Sequence, residues 1–197
     1  MSEAIEQLKA NLPTHPPVDS IKPLEEDYTG LRILAVHAHP DDESSKGAGT
    51  ASAYIARGAR FMVATMTGGE RGDILNEEVD KSPRAHRDLP GLRRAEMAAA
   101  REIMGIEHRW IGFFDSGLPE GDPMPPLPFG SFGTMPLDRA AAPLVRLVRE
   151  YRPHIIITYD EIGGYPHPDH IMTHKVAVEA FEKAGDPEAY VGEGEPW

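Results

Sequence analysis

Two short motifs, far apart in the chain, concentrate histidine and carboxylate side chains. The first is "HPDDE" at residues 39–43, and the second is "HPDH" at residues 167–170. Adjacent carboxylates raise each other's pKa unless a cation or several donors compensate for the repulsion. The first motif therefore indicates either a bound cation or a polar turn that caps a helix, because Asp side chains suit helix N-termini. The second motif likewise indicates either a metal site or a turn in which Asp169 caps the following helix.

If the two motifs meet, three of their side chains form the ligand set of a catalytic metal. His39, Asp42 and His170 would supply two nitrogens and one oxygen, and three protein ligands with an open position are typical of catalytic zinc. This donor set suits zinc best, with Fe(II) or Co(II) as alternatives. The chain has no cysteine, which excludes a thiolate site. His174 is interpreted as structural or as a support for the ligands, because "HIMTH" lacks the glutamate of HExxH.

The neighbours of these ligands could handle protons. Asp41 is adjacent to Asp42 and free to accept a proton from an attacking water, which makes it the candidate general base. His167 lies between Pro166 and Pro168 in a restrained loop. As an imidazolium it could stabilise a tetrahedral oxyanion or protonate a departing amine. The motifs together therefore favour metal-dependent attack of water on a carbonyl group.

Two further segments could contact a polar substrate. The stretch "TGGERGD" at residues 67–73 lacks the GKS/T ending and the GxGxxG spacing of phosphate loops, so nucleotide binding is only weakly indicated. Its Arg71 could bind a polar substrate, although a solvated turn explains it nearly as well. Asp115 has the same ambiguity, and we favour a binding role slightly because sugar hydroxyls prefer carboxylate acceptors.

The elements that would position these residues alternate between strand and helix. Apolar or β-branched runs predict strands at residues 32–37, 61–66, 108–114 and 154–160. Helical patterns are found at residues 46–57, 92–104, 137–151 and 169–184. We expect Pro143 to kink the third helix or to lie in its first turns. Residues 115–136 form the longest irregular stretch.

This alternation predicts an α/β, Rossmann-like fold with a mostly parallel sheet and helices on both faces. In such a sheet every loop that follows a strand opens at the same edge, where ligands bind. The motifs at residues 39–43 and 167–170 would therefore lie at one edge, although more than 120 residues separate them.

Length and composition indicate one domain and a small-molecule substrate. The chain has 197 residues, of which residues 1–30 are rich in proline and acidic side chains. We interpret them as an extended arm, with a possible short helix at residues 3–11, and residues 31–197 as the catalytic domain. A net charge of −12 disfavours nucleic acid as a partner. No apolar run reaches the roughly 18 residues of a membrane span, and the acidic N-terminal residues do not support a secretory signal, so we expect a cytoplasmic location. The sequence leaves the oligomeric state open.

Four stretches resemble a known family: "HAHPDDESSKGA", "TGGERGDILN", "DSGLPEGDP" and "YDEIGGYPHPDHI". They are similar to the LmbE-like superfamily of zinc-dependent N-acetylglucosaminyl deacetylases, and within it to the amidases of mycothiol S-conjugates. The resemblance runs from about residue 32 to residue 197 and implies a Rossmann-like fold. The amidases continue well beyond residue 197, so we expect this chain to lack the C-terminal part of their catalytic domain.

The resemblance also implies roles for individual residues. It gives three zinc ligands: His39, Asp42 and His170. It implies Asp41 as the general base and His167 as the group that stabilises or protonates. It further implies that Asp169 orients His167 and that Tyr165 helps to polarise the carbonyl group.

The amidases, unlike the related deacetylase, have a lysine at the position of Lys46. This implies a role for Lys46 in substrate choice, and the alternative is an exposed first-turn helix residue. The expected reaction is zinc-dependent hydrolysis of the amide between the cysteine carboxyl and the glucosamine nitrogen of a thiol–sugar conjugate. One alternative is deacetylation of N-acetylglucosaminyl-inositol or a related conjugate, and another is a non-catalytic fragment that binds metal or sugar.

Overall fold

Four parallel strands form the centre of the molecule. The computed structural model describes residues 26–80 and 82–197, so residues 1–25 of the predicted arm, with the possible helix at residues 3–11, lie outside the described residues. The strands are β1 (Arg32–His37), β2 (Arg60–Thr67), β3 (Glu107–Phe113) and β4 (Ile155–Ile157). They are ordered β3-β2-β1-β4. The predicted parallel α/β arrangement is therefore confirmed.

Helices connect the strands. They are α1 (Asp42–Lys46), α2 (Ala48–Ile55), α3 (Glu77–Asp80), α4 (Pro83–Arg87), α5 (Leu89–Met104), α6 (Leu137–Tyr151) and α7 (Pro168–Lys183). A short 3-10 helix, Phe132–Thr134, interrupts the predicted irregular stretch. None of the helices described in residues 26–80 and 82–197 is long and apolar enough to cross a bilayer.

Both faces of the sheet are covered, as the sequence predicts. Successive strand residues point to opposite faces. On one face Leu34 and Val36 of β1 pack in a buried cluster that includes residues of α6 and α7. On the other face Ile33 and Ala35 pack with Ala51 of α2. The sheet is therefore packed against helices on both faces.

Two predicted elements differ from those observed. The predicted helix at residues 46–57 is observed as α2 (Ala48–Ile55), and a separate short helix, α1, precedes it and is divided from it by Gly47. The predicted strand at residues 154–160 is only three residues long, because within the described chain it pairs with β1 alone. It is an edge strand, and Ile155 and Ile157 are 41% and 37% exposed. Its continuation leaves the ladder, which directs Tyr159 towards the loop after β1.

The helix predicted at residues 137–151 is observed with the same bounds as α6, and Pro143 lies inside it.

The loops that follow β1 and β4 lead into α1 and α7 respectively. Because all four strands are parallel, these loops open at the same edge of the sheet as those after β2 and β3. The two His/Asp motifs therefore lie side by side.

Candidate active site

His170 lies in the first turn of α7 and is completely buried. Its Nδ1 is 2.9 Å from the carbonyl oxygen of Gly163, and this hydrogen bond assigns the ring proton to Nδ1. Gly163 has a positive φ of 79°, and a Cβ there would lie 2.7 Å from the Cβ of His170. Burial lowers the pKa of His170, so the ring is neutral. The lone pair of Nε2 is left without a hydrogen-bond partner among the described residues.

Asp42 is buried at the start of α1, opposite His170. Its Oδ2 lies 3.7 Å from Nε2 of His170 and accepts hydrogen bonds from the His39 backbone N–H (3.0 Å) and the Tyr159 hydroxyl (2.5 Å). Its Oδ1 pairs with the ammonium group of Lys46. Burial raises the pKa of Asp42, but these partners lower it to about 2. Asp42 is therefore ionised at neutral pH.

The ring of His39 lies among three carboxylates. Its Nδ1 is 3.7 Å from Asp42 Oδ2, and its Nε2 is 3.3 Å from Asp169 Oδ2 and 3.6 Å from Asp115 Oδ1. Burial lowers the pKa of His39, but the hydrogen bonds and charges of Asp115, Asp169 and Asp42 outweigh burial and raise it to about 10. The negative potential around His39 is therefore strong enough to hold a positive charge.

These features fit a divalent cation. Ligand atoms of His39, Asp42 and His170 all lie within 4.8 Å of one another. Among the described residues, this group combines an ionised carboxylate, a buried lone pair with no hydrogen-bond partner and surroundings that favour positive charge. Two nitrogens and one oxygen are a donor set that zinc accepts. His39, Asp115 and His167 form a second group of the same kind, which shares His39.

Asp41 is held in a strained conformation at the mouth of the site. Its φ is 140°, in a region that residues with a side chain rarely adopt and that costs about 1–3 kcal/mol. The carboxylate of Glu43 accepts its backbone N–H (3.0 Å), and Nη1 of Arg93 donates to its Oδ2 (2.7 Å). The same nitrogen donates to the carbonyl oxygen of Pro40 (3.1 Å). Contacts from α1, through Glu43, and from α5, through Arg93, thus fix the position of Asp41.

His167 is the N-cap of α7, and Tyr165 lies beside it. Nδ1 of His167 accepts the backbone N–H of Asp169 (3.1 Å), so the ring carries its proton on Nε2. Burial and the charge of His39 lower the pKa of His167 to about 4. The imidazolium expected from the sequence is replaced by a neutral N–H donor. The Tyr165 ring is edge-on to His170 at 4.7 Å and is 45% exposed.

The carboxylate of Asp169 faces His39 rather than His167, and it accepts the backbone N–H of Ser116 (2.9 Å) and the Ser116 hydroxyl. The expected orientation of His167 by Asp169 is thus made by the backbone N–H alone. This follows from the helix start, because a residue in the first turn offers its N–H to the N-cap while its side chain points away.

Asp115 and Arg71 lie together, on the loops after β3 and β2. Asp115 is buried, and its carboxylate accepts the backbone N–H groups of Gly117 (2.7 Å) and Arg71 (3.1 Å). Burial raises the pKa of Asp115, but the hydrogen bond and charge of His39 hold it well below its usual range. The carboxylate thus supports His39 and the loop, whereas Arg71 lines a pocket that opens beside His39, Asp41 and Asp42.

The structure does not bring Lys46 to that pocket. Its ammonium group pairs with Asp42, 5.8 Å from the centroid of the Tyr159 ring. Lys46 lines a separate small cavity behind β1, with His37. Nδ1 of His174 donates to the backbone carbonyl oxygen of Tyr159 at 2.8 Å, in keeping with its structural interpretation.

The pocket has a volume of about 210 Å³. Seven of the predicted site residues line it: His39, Asp41, Asp42, Arg71, Asp115, Tyr165 and His167. Sequence reasoning missed three supporting residues: Tyr159, Arg93 and Ser116. Tyr159 is the penultimate residue of the predicted strand at residues 154–160, which is a signal for a position at the sheet edge, whereas Arg93 and Ser116 carry no local signal.

The profile of the family described as PIG-L, GlcNAc-PI de-N-acetylase, matches residues 34–181. The chain belongs to this family. The predicted resemblance is therefore confirmed, and the family description names the hydrolysis of an N-acetyl amide.

Two curated relatives represent two activities. The chain is 57% identical over 160 residues to mycothiol S-conjugate amidase of Streptomyces coelicolor, covering 81% of this chain and 55% of that protein. It is 42% identical over 176 residues to 1D-myo-inositol 2-acetamido-2-deoxy-alpha-D-glucopyranoside deacetylase of Streptomyces scabiei, covering 85% and 53%. The chain therefore spans about half the length of these relatives.

Solved structures share the fold. N,N'-diacetylchitobiose deacetylase from Pyrococcus horikoshii has a TM-score of 0.64 at 20% identity, over 82% of this chain and 53% of that one. The conserved protein TT1542 from Thermus thermophilus has a TM-score of 0.60 at 28% identity, over 85% and 62%. At 20% identity, the likeness to the Pyrococcus horikoshii deacetylase shows the fold alone.

Proposed function

We propose that this chain carries the active site of a zinc-dependent amide hydrolase that cleaves mycothiol S-conjugates between the cysteine carboxyl and the glucosamine nitrogen. The products would be a mercapturic acid and glucosaminyl-inositol. One observation carries the proposal: the buried lone pair of His170 Nε2 faces the ionised carboxylate of Asp42 and has no other partner among the described residues. The higher identity to the amidase than to the deacetylase supports the choice of substrate.

His39, Asp42 and His170 would hold the zinc. When bound, zinc would polarise the substrate carbonyl and make water a better nucleophile at neutral pH. Tyr159 would keep the Asp42 carboxylate in place through its hydroxyl, and the Gly163 carbonyl would keep the His170 ring in the required tautomer.

Asp41 would act as the general base. Its carboxylate borders the pocket and can accept a proton from the attacking water, whose oxygen then bonds to the carbonyl carbon. Because Arg93 already donates to Oδ2, Oδ1 is the oxygen free to take that proton. When the C–N bond breaks, the same proton can pass from Asp41 to the departing nitrogen.

His167 would stabilise the oxyanion. Its Nδ1 accepts a backbone N–H, so its Nε2–H is the group available to donate to the negative oxygen. Of the two roles considered for His167, this geometry favours stabilisation over protonation of the amine. Tyr165, which lines the same pocket, would assist by donating its hydroxyl to the carbonyl oxygen.

The remaining predicted residues would act on the substrate or on the ligands. We propose Arg71 as a contact to the sugar hydroxyls, since its side chain lines the pocket. Asp115 and Lys46 would act indirectly, Asp115 through His39 and Lys46 through Asp42. This assignment differs from the direct substrate contacts expected from the sequence.

The test compares two substrates with zinc-loaded protein. We expect a bimane conjugate of mycothiol to release the bimane mercapturate faster than N-acetylglucosaminyl-inositol releases acetate. Faster acetate release would contradict the amidase and support the alternative deacetylase. Asp41→Ala should abolish both reactions while zinc binding persists, and Glu102→Ala, an exposed carboxylate outside the pocket, should change neither. Zinc binding without turnover of either substrate would favour a non-catalytic binding domain.

A further inference from the structure

A second groove opens off the candidate active site. Its volume is about 220 Å³, similar to that of the pocket itself. The two cavities are adjacent, because Asp41, Asp73 and Arg93 line both. A group bound next to the proposed general base therefore lies close to this groove.

Half of the residues that line the groove are apolar. They come from the segment after β2, from α3 and from α5: Ile74, Leu75, Val79, Leu89 and Leu92. The other half are polar or charged: Asp41, Asp73, Asn76, Arg93 and Glu96. Leu75 is 90% exposed, the largest exposed fraction of any leucine among the exposed apolar side chains of the described chain. An exposed apolar wall that adjoins a polar pocket is typical of a ligand-binding groove.

The charged residues that line the groove are Arg93 and three acidic residues, Asp41, Asp73 and Glu96. Nη1 of Arg93 donates to Asp41 Oδ2 at 2.7 Å, and Nη2 donates to the backbone carbonyl oxygen of Asp73 at 3.3 Å. The guanidinium is thus already paired with a carboxylate, and the carboxylates of Asp73 and Glu96 leave the lining with a net negative charge. The groove therefore disfavours an anionic group, and its apolar side chains favour an uncharged, apolar one.

Another cavity lies beside the pocket, on the side of Arg71 and Leu118, which line both. It has a volume of about 560 Å³, and its other lining residues include Glu70 and several prolines. The groove and this larger cavity share none of their described lining residues. A substrate with a polar end and an apolar end could therefore place one in each.

We propose that the groove binds the apolar substituent on the sulfur of a thioether conjugate, an alkyl or aryl group carried by the cysteine of the substrate. This inference rests on the proposed amidase function. An acetyl group is small enough for the pocket alone, so a deacetylase would have no use for a groove of this size. The groove thus gives the chain a preference among conjugates that the metal ligands do not provide.

The first experiment uses two amide substrates that differ only on sulfur, one S-benzyl and one S-methyl, with the zinc-loaded full chain. We expect kcat/KM for the S-benzyl substrate to be about tenfold higher or more, as is usual when an apolar group fills an apolar pocket. Leu75→Ser should reduce that ratio about threefold to tenfold. Ile103→Ser is the matched control, because Ile103 is 85% exposed and lines neither cavity, and it should leave the ratio unchanged.

The second experiment measures binding without turnover. The fluorescent bimane thioether of N-acetylcysteine should bind the metal-free protein several-fold more weakly after Leu75→Ser than after Ile103→Ser. Turnover of both amide substrates with equal kcat/KM, or equal behaviour of the two variants, would overturn the groove assignment and leave the amidase intact. Binding that depends on Leu75 without turnover of any thioether amide would support the groove and contradict the amidase.

Discussion

The hydroxyl of Tyr159 links the two halves of the candidate metal centre. It donates to Asp42 Oδ2 at 2.5 Å and accepts the backbone N–H of Ala38 at 2.9 Å, while the ring stacks on His170 with centroids 4.3 Å apart. Burial, together with the charge of Asp42, raises the pKa of Tyr159, so the hydroxyl remains a donor at any ordinary pH. Tyr159→Phe removes this oxygen and preserves the stacking.

Two losses set the expected magnitude. A hydrogen bond to a charged group contributes about 1.5–3 kcal/mol, and a buried N–H left without a partner costs about 1–3 kcal/mol. We therefore expect Tyr159→Phe to lower the free energy of unfolding by about 2.5–6 kcal/mol. A residue that orients a metal ligand typically contributes tenfold to 100-fold in affinity, so zinc should bind that much more weakly to Tyr159→Phe.

The assay combines urea unfolding of the metal-free protein with zinc competition against a chelator. Tyr151→Phe is the matched control, because the Tyr151 hydroxyl is buried and has no partner among the described residues. Its removal should leave stability unchanged or raise it slightly. If Tyr159→Phe binds zinc within about twofold of the parent and unfolds like Tyr151→Phe, the proposed support of Asp42 is wrong.

Three further predictions concern other parts of the molecule. The guanidinium of Arg149 is buried and donates only to backbone carbonyl oxygens near the end of the described chain, so Arg149→Met should cost about 3–5 kcal/mol in urea unfolding. Arg146→Met, which removes an exposed ion pair, should cost under about 1 kcal/mol, and equal losses would contradict the reasoning. Arg93→Leu should reduce kcat at least about tenfold with little change in zinc affinity, because it releases Asp41, whereas Arg93→Lys should restore part of the rate; a change in KM alone would argue against this role. Burial and the charge of Arg101 lower the pKa of His108 to about 4, below the roughly 6.5 of an unfolded chain. The unfolded chain therefore binds more protons between these values, and stability should fall as the pH drops from 6.5 to 4, by about 1 kcal/mol after allowing for partial exposure. His108→Asn should lose this part of the pH dependence in unfolding curves at pH 7.5 and 4.5, and an unchanged pH dependence would show that His108 is not its source.

The sequence by itself determined the fold class and the edge at which the chemistry lies. Strand and helix periods are local, so the alternation from residue 32 onwards could be predicted without any contact information. Parallel strands then required the loops that contain residues 39–43 and 167–170 to open at one edge, where the structure brings them together. The ligand types within each motif followed from the donor preferences of zinc.

The tertiary structure alone decided which groups support and aim these residues. Tyr159 reaches Asp42 across 117 positions of sequence, and Arg93 reaches Asp41 across 52. Such pairs depend on strand order and on helix placement, which no local pattern encodes. The pairing of Lys46 with Asp42 in place of substrate is, by contrast, a local contact between residues four apart on α1, and burial of the Asp42 carboxylate makes it effective. The apolar groove beside Asp41 exists only because the segment after β2 folds against α5.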